Sequence, residues 1–113
     1  VRLSGIDCPE MNQPFGQAAK RFTLDLAAHR MVTVEIETTD RYGRIIGEVT
    51  LSDGNSLNRR LVEEGYAWWY HKYSNDKTLG ELESKARCKK RGLWSDPHAI
   101  APWDWRRQKK QWL

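Results

Sequence analysis

A central segment with strict alternation constrains the fold of this chain most. Residues 31–37 read M-V-T-V-E-I-E, a run rich in β-branched residues in which apolar and polar side chains alternate. A period of two places every second side chain on the same face of a strand. Residues 38–43 then contain Asp40 and Gly43, which are typical of turns, and residues 44–51 return as a second strand. The sequence therefore predicts a β-hairpin in the middle of the chain.

Three segments around this hairpin have helical patterns. Residues 14–30 carry small and apolar residues near helical spacing, with Pro14 at the start. Residues 56–64 predict a short helix with one apolar face, which Gly65 ends. Residues 77–91 predict a third helix of the same kind.

Two more segments are predicted to be extended, at residues 1–6 and in the aromatic run at residues 66–73. The order strand, helix, strand, strand, helix, helix is typical of a small α+β domain with a mostly antiparallel sheet. Three strands are few for a stable barrel, so we expect more sheet before residue 1. Residues 97–113 are basic and rich in Trp, and two interpretations stay open for them: a docked extension or a partly ordered tail.

Length and charge narrow the class of protein. A chain of 113 residues suits one domain, and no apolar run approaches the roughly 20 residues that span a bilayer. The two cysteines match no zinc motif, so we expect free thiols. The net charge of +4 is concentrated in two clusters, which either attract polyanions or solvate helix faces. These clusters are Lys85, Arg87, Lys89, Lys90 and Arg91, and Arg106, Arg107, Lys109 and Lys110.

The first group of chemically capable residues is Arg2, Asp7 and Glu10. Asp7 is a hard oxygen donor suited to calcium or magnesium. Glu10 could accept a proton from an attacking water, and the Arg2 guanidinium could grip phosphate oxygens. Asp before Pro is also ordinary turn chemistry, so the pattern alone leaves a structural interpretation open.

A second group comes from the hairpin turn and the aromatic run. Arg41, Tyr42 and Arg44 are either surface residues of a turn or parts of a phosphate-binding turn. Because bases stack on aromatic faces, we assign His71 and Tyr73 to a candidate nucleotide side. Trp69 is instead predicted to lie in the core or at a joint between subdomains.

Four motifs in a fixed order resemble the staphylococcal nuclease, or thermonuclease, family. They are V-R-L-S-G-I-D-C-P-E, D-R-Y-G-R, L-N-R-R-L-V-E-E-G-Y-A and A-R-C-K-K-R-G-L-W, and together they span about 95 of the 113 residues. The resemblance implies an OB-fold-type five-stranded Greek-key barrel with three helices, here lacking the first two strands. Residues 1–95 would form this domain without its N-terminal hairpin, and residues 96–113 would form a Trp-rich basic C-terminal extension.

The resemblance also implies an activity: calcium-dependent hydrolysis of phosphodiester bonds in DNA, RNA or both, with little sequence specificity. Arg2 and Arg44 resemble the two catalytic arginines, and Glu10 resembles the carboxylate that activates water. Asp7 resembles a Ca²⁺ ligand, and Cys8 takes the position of a residue whose backbone carbonyl binds the metal.

The remaining implied roles concern the nucleotide and the metal shell. Arg41, Tyr42, His71 and Tyr73 fall at or near nucleotide-binding positions of the family. The family's other calcium carboxylate belongs to the absent hairpin, so we expect a reduced affinity for Ca²⁺, and an inactive form of the chain as given stays open. Secretion or export to the periplasm is suggested by the family alone.

Two other functions stay open at the level of sequence. A non-catalytic OB-fold module would bind single-stranded nucleic acid without cleaving it. A protein-interaction domain would use Trp103, Trp105 and Trp112 of the extension as its contact. The presence of both arginines and both carboxylates favours the nuclease. An exposed sheet edge also predicts possible self-association.

Overall fold

The structure, a computed structural model, describes residues 2–28 and 30–111, and for residues 109–111 it describes the helix backbone alone. The parts of the predictions that fall on Val1, His29, Trp112 and Leu113 lie outside the described residues. Within the described part the fold is α+β, as expected. Its elements are β1 (Arg2–Leu3), β2 (Ile6–Asp7), α1 (Gly16–Ala27), β3 (Thr33–Thr39), β4 (Ile45–Thr50), α2 (Leu57–Glu63), β5 (Trp68–Trp69), α3 (Lys77–Cys88), a 3₁₀ helix (Gly92–Ser95) and α4 (Pro102–Gln111).

The predicted hairpin is confirmed. β3 pairs with β4 in antiparallel register, with a bulge between Ile36 and Thr38. Gly47 opposes Ile36, and a Cβ atom there would lie 2.3 Å from the carbonyl oxygen of Glu35. The two strands can therefore approach as closely as they do only with glycine at this position.

The segment at residues 1–6 differs from its prediction as a single strand. β1 pairs in parallel with β4, whereas β2 pairs in antiparallel with β5. A turn at Ser4 and Gly5, with Gly5 at a φ of 76°, separates the two strands. One short segment thus passes from a three-stranded sheet of order β1-β4-β3 to a two-stranded sheet of β2 and β5.

Two apolar clusters hold these elements together. The larger lies around α2, whose Leu61 and Val62 are fully buried against β2, β4 and α3. The smaller joins Trp68 and Leu93 to Ala101, just before α4. Burial of this apolar surface is the main force that docks the helices on the sheets.

The helix predictions need corrections to helix ends and to the number of helices. The first helix spans Gly16–Ala27 rather than residues 14–30, and it begins after Pro14 because Phe15 adopts a left-handed conformation with a φ of 69°. The third helix ends at Cys88 rather than at residue 91. The described residues also contain a fourth α-helix, α4, in the extension that the sequence left as either docked or partly ordered. None of the described helices is long and apolar enough to cross a membrane.

Candidate functional site

An open cleft of about 620 Å³ lies between β1, the hairpin turn and the segment after β5. It brings together residues from three distant parts of the chain. The charged and aromatic side chains among its lining residues are Arg2, Glu37, Asp40, Arg41, Tyr42, Arg44, Tyr70 and Tyr73.

Arg44 is oriented by the hairpin turn itself. Its Nε donates to Oδ2 of Asp40 at 2.7 Å, and its guanidinium lies 5.7 Å from the centre of the Tyr42 ring. Burial opposes ionisation of Asp40, but hydrogen bonds from the backbone N–H groups of Arg44 and Tyr42 and from the Arg44 side chain outweigh it and lower the pKa of Asp40. The ion pair uses Nε, so the two terminal nitrogens of Arg44 are the donors that could reach a phosphate.

Arg2 reaches the same cleft from β1. Its guanidinium lies 5.9 Å from the centre of the Tyr70 ring, a cation–π arrangement. Tyr70 in turn stacks on Trp103 of α4, with ring centres 5.1 Å apart and an angle of 8° between the planes, and it meets the edge of Tyr73. The sequence assignment did not include Tyr70 among the site residues, although the aromatic run contained the signal.

Asp7 and Glu10 are not among the residues that line this cleft, and an arginine from α4 bridges their two carboxylates. Arg106 donates from Nη2 to Oδ2 of Asp7 at 2.8 Å and from Nη1 to Oε1 of Glu10 at 2.7 Å. Asp7 is buried, and this burial raises its pKa although Arg106 and Arg2 act in the opposite direction. The hydrogen bond from Arg106 to Asp7 is the main cause that raises the pKa of Arg106. Sequence reasoning assigned no site role to Arg106.

The loop that carries Glu10 is fixed by its neighbours. The Glu10 backbone N–H donates to Oε1 of Gln13 at 3.0 Å, and the Glu10 carbonyl accepts from the Gln13 N–H at 2.9 Å. A Cβ atom on Gly16 would lie 1.9 Å from the same carbonyl, so the loop rests directly on the start of α1. Glu10 thus has a defined backbone position.

The predicted nucleotide-binding residues divide between two places. Arg41, Tyr42 and Tyr73 line the main cleft and are exposed. His71 does not line it: its ring meets the edge of Trp103 at 5.6 Å and contributes to a separate depression along α4.

The described residues do not by themselves make a calcium site. Among them, no three or more His, Cys, Asp or Glu side chains come close enough to hold a metal ion. Burial and the neighbouring Asp7 charge raise the pKa of Cys8 to about 12, so its thiol is protonated and only its carbonyl could serve as a hard ligand. Asp7, Glu10 and one carbonyl fall short of the 6–8 oxygens that Ca²⁺ takes, and both carboxylates already bind Arg106.

This arrangement favours chemistry on a phosphate ester. The guanidiniums of Arg2, Arg41 and Arg44 at one cleft match the charge and geometry of phosphate oxygens, and exposed tyrosines beside them offer faces for bases. Glu10 supplies a carboxylate that could orient a water molecule.

Comparison with known proteins agrees with this chemistry. A family model described as staphylococcal nuclease homologue matches residues 1–96. An "uncharacterized endonuclease" of Escherichia coli is 43% identical over 109 residues, covering 96% of this chain and 71% of the relative. A "micrococcal nuclease" of Shigella flexneri is 40% identical over 120 residues, covering 97% and 69%. The "staphylococcal-like nuclease CAN1" of Arabidopsis thaliana is 36% identical over 110 residues, covering 97% and 34%. The chain therefore belongs to the staphylococcal nuclease family.

Proposed function

We propose that this nuclease hydrolyses phosphodiester bonds of DNA, RNA or both in a calcium-dependent reaction with little sequence specificity. The observation that carries the proposal is that Arg2 and Arg44, which are far apart in the chain, line one cleft together with exposed tyrosines. Guanidiniums grip phosphate oxygens and aromatic rings stack on bases of any kind, so neither contact selects a sequence. The names of the bacterial relatives support the hydrolytic part.

In the proposed reaction, water attacks phosphorus in line with the leaving oxygen. Glu10 orients this water or takes its proton. Arg2 and Arg44 hold the non-bridging oxygens and bind them more strongly as negative charge develops in the transition state. Tyr42 and Tyr73 hold the flanking nucleotide.

Asp7 and the backbone carbonyl of Cys8 are the groups that would hold Ca²⁺, because their oxygens are hard donors of the kind that this ion prefers. Waters, substrate oxygens or further ligands would have to complete the shell. Arg106 is bonded to the carboxylates of both Asp7 and Glu10. The reaction steps above are therefore assigned to protein side chains, and none is assigned to a bound metal ion.

We also propose that the two small sheets are parts of an OB-type, five-stranded Greek-key barrel. The segment that carries β1 and β2 supports this idea, since it joins one sheet to the other within six residues from Arg2 to Asp7. A barrel requires strands that pass between differently oriented parts of one sheet.

A second candidate function is a module that binds single-stranded nucleic acid without cleaving it. The favouring observation is that Arg106 neutralises part of the charge on Asp7 and Glu10 while the cleft with Arg2 and Arg44 stays open. The two functions differ in a single readout, the breaking of the phosphodiester bond.

The test is a digestion assay on single-stranded DNA, duplex DNA and RNA, with Ca²⁺ or with a calcium chelator. We expect cleavage by the unchanged chain in Ca²⁺, and a loss of about 10²–10³ in rate for Arg2→Ala or Arg44→Ala. Glu10→Gln should also lose most activity. Arg21→Ala removes an exposed positive charge from α1 and is the matched control, which should cleave at an unchanged rate.

Three outcomes decide between the candidates. Equal cleavage by the unchanged chain and all three site variants would remove the site assignment. Binding without cleavage, weakened in Arg44→Ala, would support the non-catalytic module. Cleavage that persists in the chelator would contradict the calcium dependence.

A further inference from the structure

The basic cluster at the end of α3 takes no part in the proposed reaction. Its five residues lie close together in the chain, and they are Lys85, Arg87, Lys89, Lys90 and Arg91. The two arginines have partners within the fold. Arg87 lies 4.2 Å from the centre of the Trp94 ring and pairs with Glu83 at 3.6 Å. Arg91 pairs with Glu64 at 3.6 Å.

The three lysines of the cluster differ from the arginines, because all three are exposed. Within the described residues, none of their ammonium groups forms an ion pair with a carboxylate. Lys85 and Lys89 are four residues apart and therefore lie on one face of the helix end. Positive charges gathered in this way repel one another, and a bound polyanion would offset the repulsion.

The backbone of Lys90 adds a second observation. The Lys90 N–H donates to the Arg87 carbonyl at 3.1 Å, and the Arg91 N–H donates to the Ala86 carbonyl at 3.0 Å. This pair of bonds is a Schellman motif, in which the left-handed position is usually glycine. Lys90 occupies that position with a φ of 55°, which costs stability. The dipole of α3 favours positive charge in its last turn, but it does not account for a lysine placed beyond the helix at this cost.

The other end of α3 lies at the cleft. Gly5 lines the cleft, and a Cβ atom on it would lie 2.8 Å from Cδ1 of Leu79 in the first turn of α3. A helix of 12 residues is about 18 Å long. Because a nucleic-acid strand advances about 3.4 Å per nucleotide, the cluster is about five nucleotides away from the cleft. A dinucleotide in the cleft cannot reach it, whereas a long strand can.

We propose that Lys85, Lys89 and Lys90 form a second phosphate-binding surface, which holds the backbone of a polynucleotide whose scissile phosphate lies in the cleft. Contacts between lysine and phosphate carry no information about base sequence, so the surface adds affinity for long chains without selecting among them. The inference rests on the proposed function and extends its substrate from the nucleotide in the cleft to a long polyanion.

The first experiment uses Cys88, an exposed thiol within the cluster. Cys8 is the other cysteine, and burial raises its pKa to about 12, so a neutral alkylating reagent such as iodoacetamide reports on Cys88. The reaction is followed in a calcium chelator with a duplex of about 20 base pairs, which is long enough to reach the cluster. When about nine-tenths of the protein is bound, alkylation of Cys88 should slow by about tenfold, because only free protein exposes the thiol. A saturating dinucleotide should leave the rate unchanged.

The second experiment measures the salt dependence of duplex binding, also in the chelator. The double variant Lys89→Gln with Lys90→Gln should lower the slope of log affinity against log salt by about two, one for each lost phosphate contact. Its affinity for the dinucleotide should stay unchanged. Lys20→Gln with Arg21→Gln is the matched control, since it removes the same charge from two exposed residues of α1 and should keep the slope.

Lys90→Gly separates phosphate binding from a structural role. Glycine adopts the left-handed conformation without strain, so the urea midpoint of this variant should rise. The salt slope should nevertheless fall by about one. If the double variant is unfolded, Lys90→Gly decides alone.

Three results would overturn the proposal: no measurable binding of the duplex, alkylation of Cys88 at the free rate in the bound protein, or an unchanged salt slope in the folded variants. Protection of Cys88 by polyglutamate and not by the duplex would also overturn it and would assign the surface to an acidic protein. Because the chelator separates binding from cleavage, the two proposals can fail independently. If Cys88 is protected and the slope falls but no phosphodiester is cut in Ca²⁺, the proposed function fails and the surface stands.

Discussion

Asn58 is the buried polar residue that ties the site segment to the central hairpin. Its side chain donates from Nδ2 to the Ser4 carbonyl at 2.9 Å and to the Gly47 carbonyl at 3.3 Å, and its Oδ1 accepts from the Val49 N–H at 3.2 Å. The side chain is 2% exposed, so water cannot replace these bonds without opening the core. One amide thereby fixes the turn between β1 and β2.

Replacement of Asn58 by Ala should destabilise the fold by about 1–3 kcal/mol, because buried backbone groups lose their partner. The turn at Ser4 and Gly5 should loosen, and with it the position of Arg2. The free energy of unfolding in urea measures the first effect, and the rate in the digestion assay measures the second. Asn55→Ala is the control, since Asn55 is exposed and its side chain bonds only to nearby Asp53. An equal unfolding midpoint for both variants would contradict this role of Asn58.

At the scale of single residues, the sequence predicted that Arg2 and Arg44 share a site because both belong to motifs of the family. It could not predict the partner of Arg106, because a guanidinium looks the same on a solvated helix face as in an acidic pair 99 residues away. It also assigned His71 and not Tyr70 to the nucleotide side. The chain turns directly after β5, where the His71 N–H donates to the Trp69 carbonyl. The alternation of side chains along a strand ends at this turn, so it cannot predict the direction in which each ring points.

Among the elements, α3 is the one whose start is explained most directly by neighbouring residues. Asp76 caps its N-terminus, with Oδ1 accepting from the Thr78 N–H at 3.1 Å, and its Oδ2 pairs with Arg59 at 3.0 Å. The hydrogen bond from the Thr78 side chain is the main cause that lowers the pKa of Asp76, and the Thr78 N–H and Arg59 add to it against the effect of burial. The predicted start at residue 77 is confirmed for this reason.

Asp76→Ala should lower the stability by about 0.5–2 kcal/mol at neutral pH, the usual value for loss of an N-cap. A carboxyl with a lowered pKa in the folded state stabilises above its ordinary value of 3.8, and this contribution is lost as the pH falls through the folded value. The difference in stability between the variant and the unchanged chain should therefore shrink below pH 3.8. Urea unfolding at a series of pH values checks this, and a difference that is constant or grows towards acid pH would contradict it.

Element ends were harder to predict than element types. The third helix was expected to continue to residue 91, but α3 ends at Cys88, and Lys90 then adopts a positive φ of 55°. The helix ends there because of a tertiary contact. The backbones of Gly92 and Gly65 meet, and a Cβ atom on Gly65 would lie 2.3 Å from the Arg91 carbonyl oxygen. Contacts of this kind come from distant segments and leave no periodic signal in the sequence.

At the scale of the whole molecule, β3 is the edge of its sheet within the described residues, and every residue of the strand is exposed. Its outward residues include Ile36, which is 64% exposed, and Met31 just before the strand is 87% exposed. An exposed strand edge with apolar side chains is a template for pairing with another strand. Self-association therefore stays a prediction, and the edge of β3 is the surface through which we expect it.

We expect the chain to form dimers in a concentration-dependent way, and Ile36→Lys should shift the equilibrium to monomer by placing a charge on the edge. Leu24→Lys adds the same charge at a residue of α1 that is 51% exposed, and it should leave association unchanged. Sedimentation velocity over a range of concentrations measures both. If the unchanged chain sediments as monomer throughout, pairing through β3 is excluded.

The turn between β1 and β2 has a mechanical consequence. Arg2 and Asp7 belong to one short segment, yet each is anchored in a different sheet. A shear of one sheet against the other would therefore change the spacing between a guanidinium and a carboxylate without stretching any strand. The spacing between these two groups therefore depends on a joint that is only two residues long.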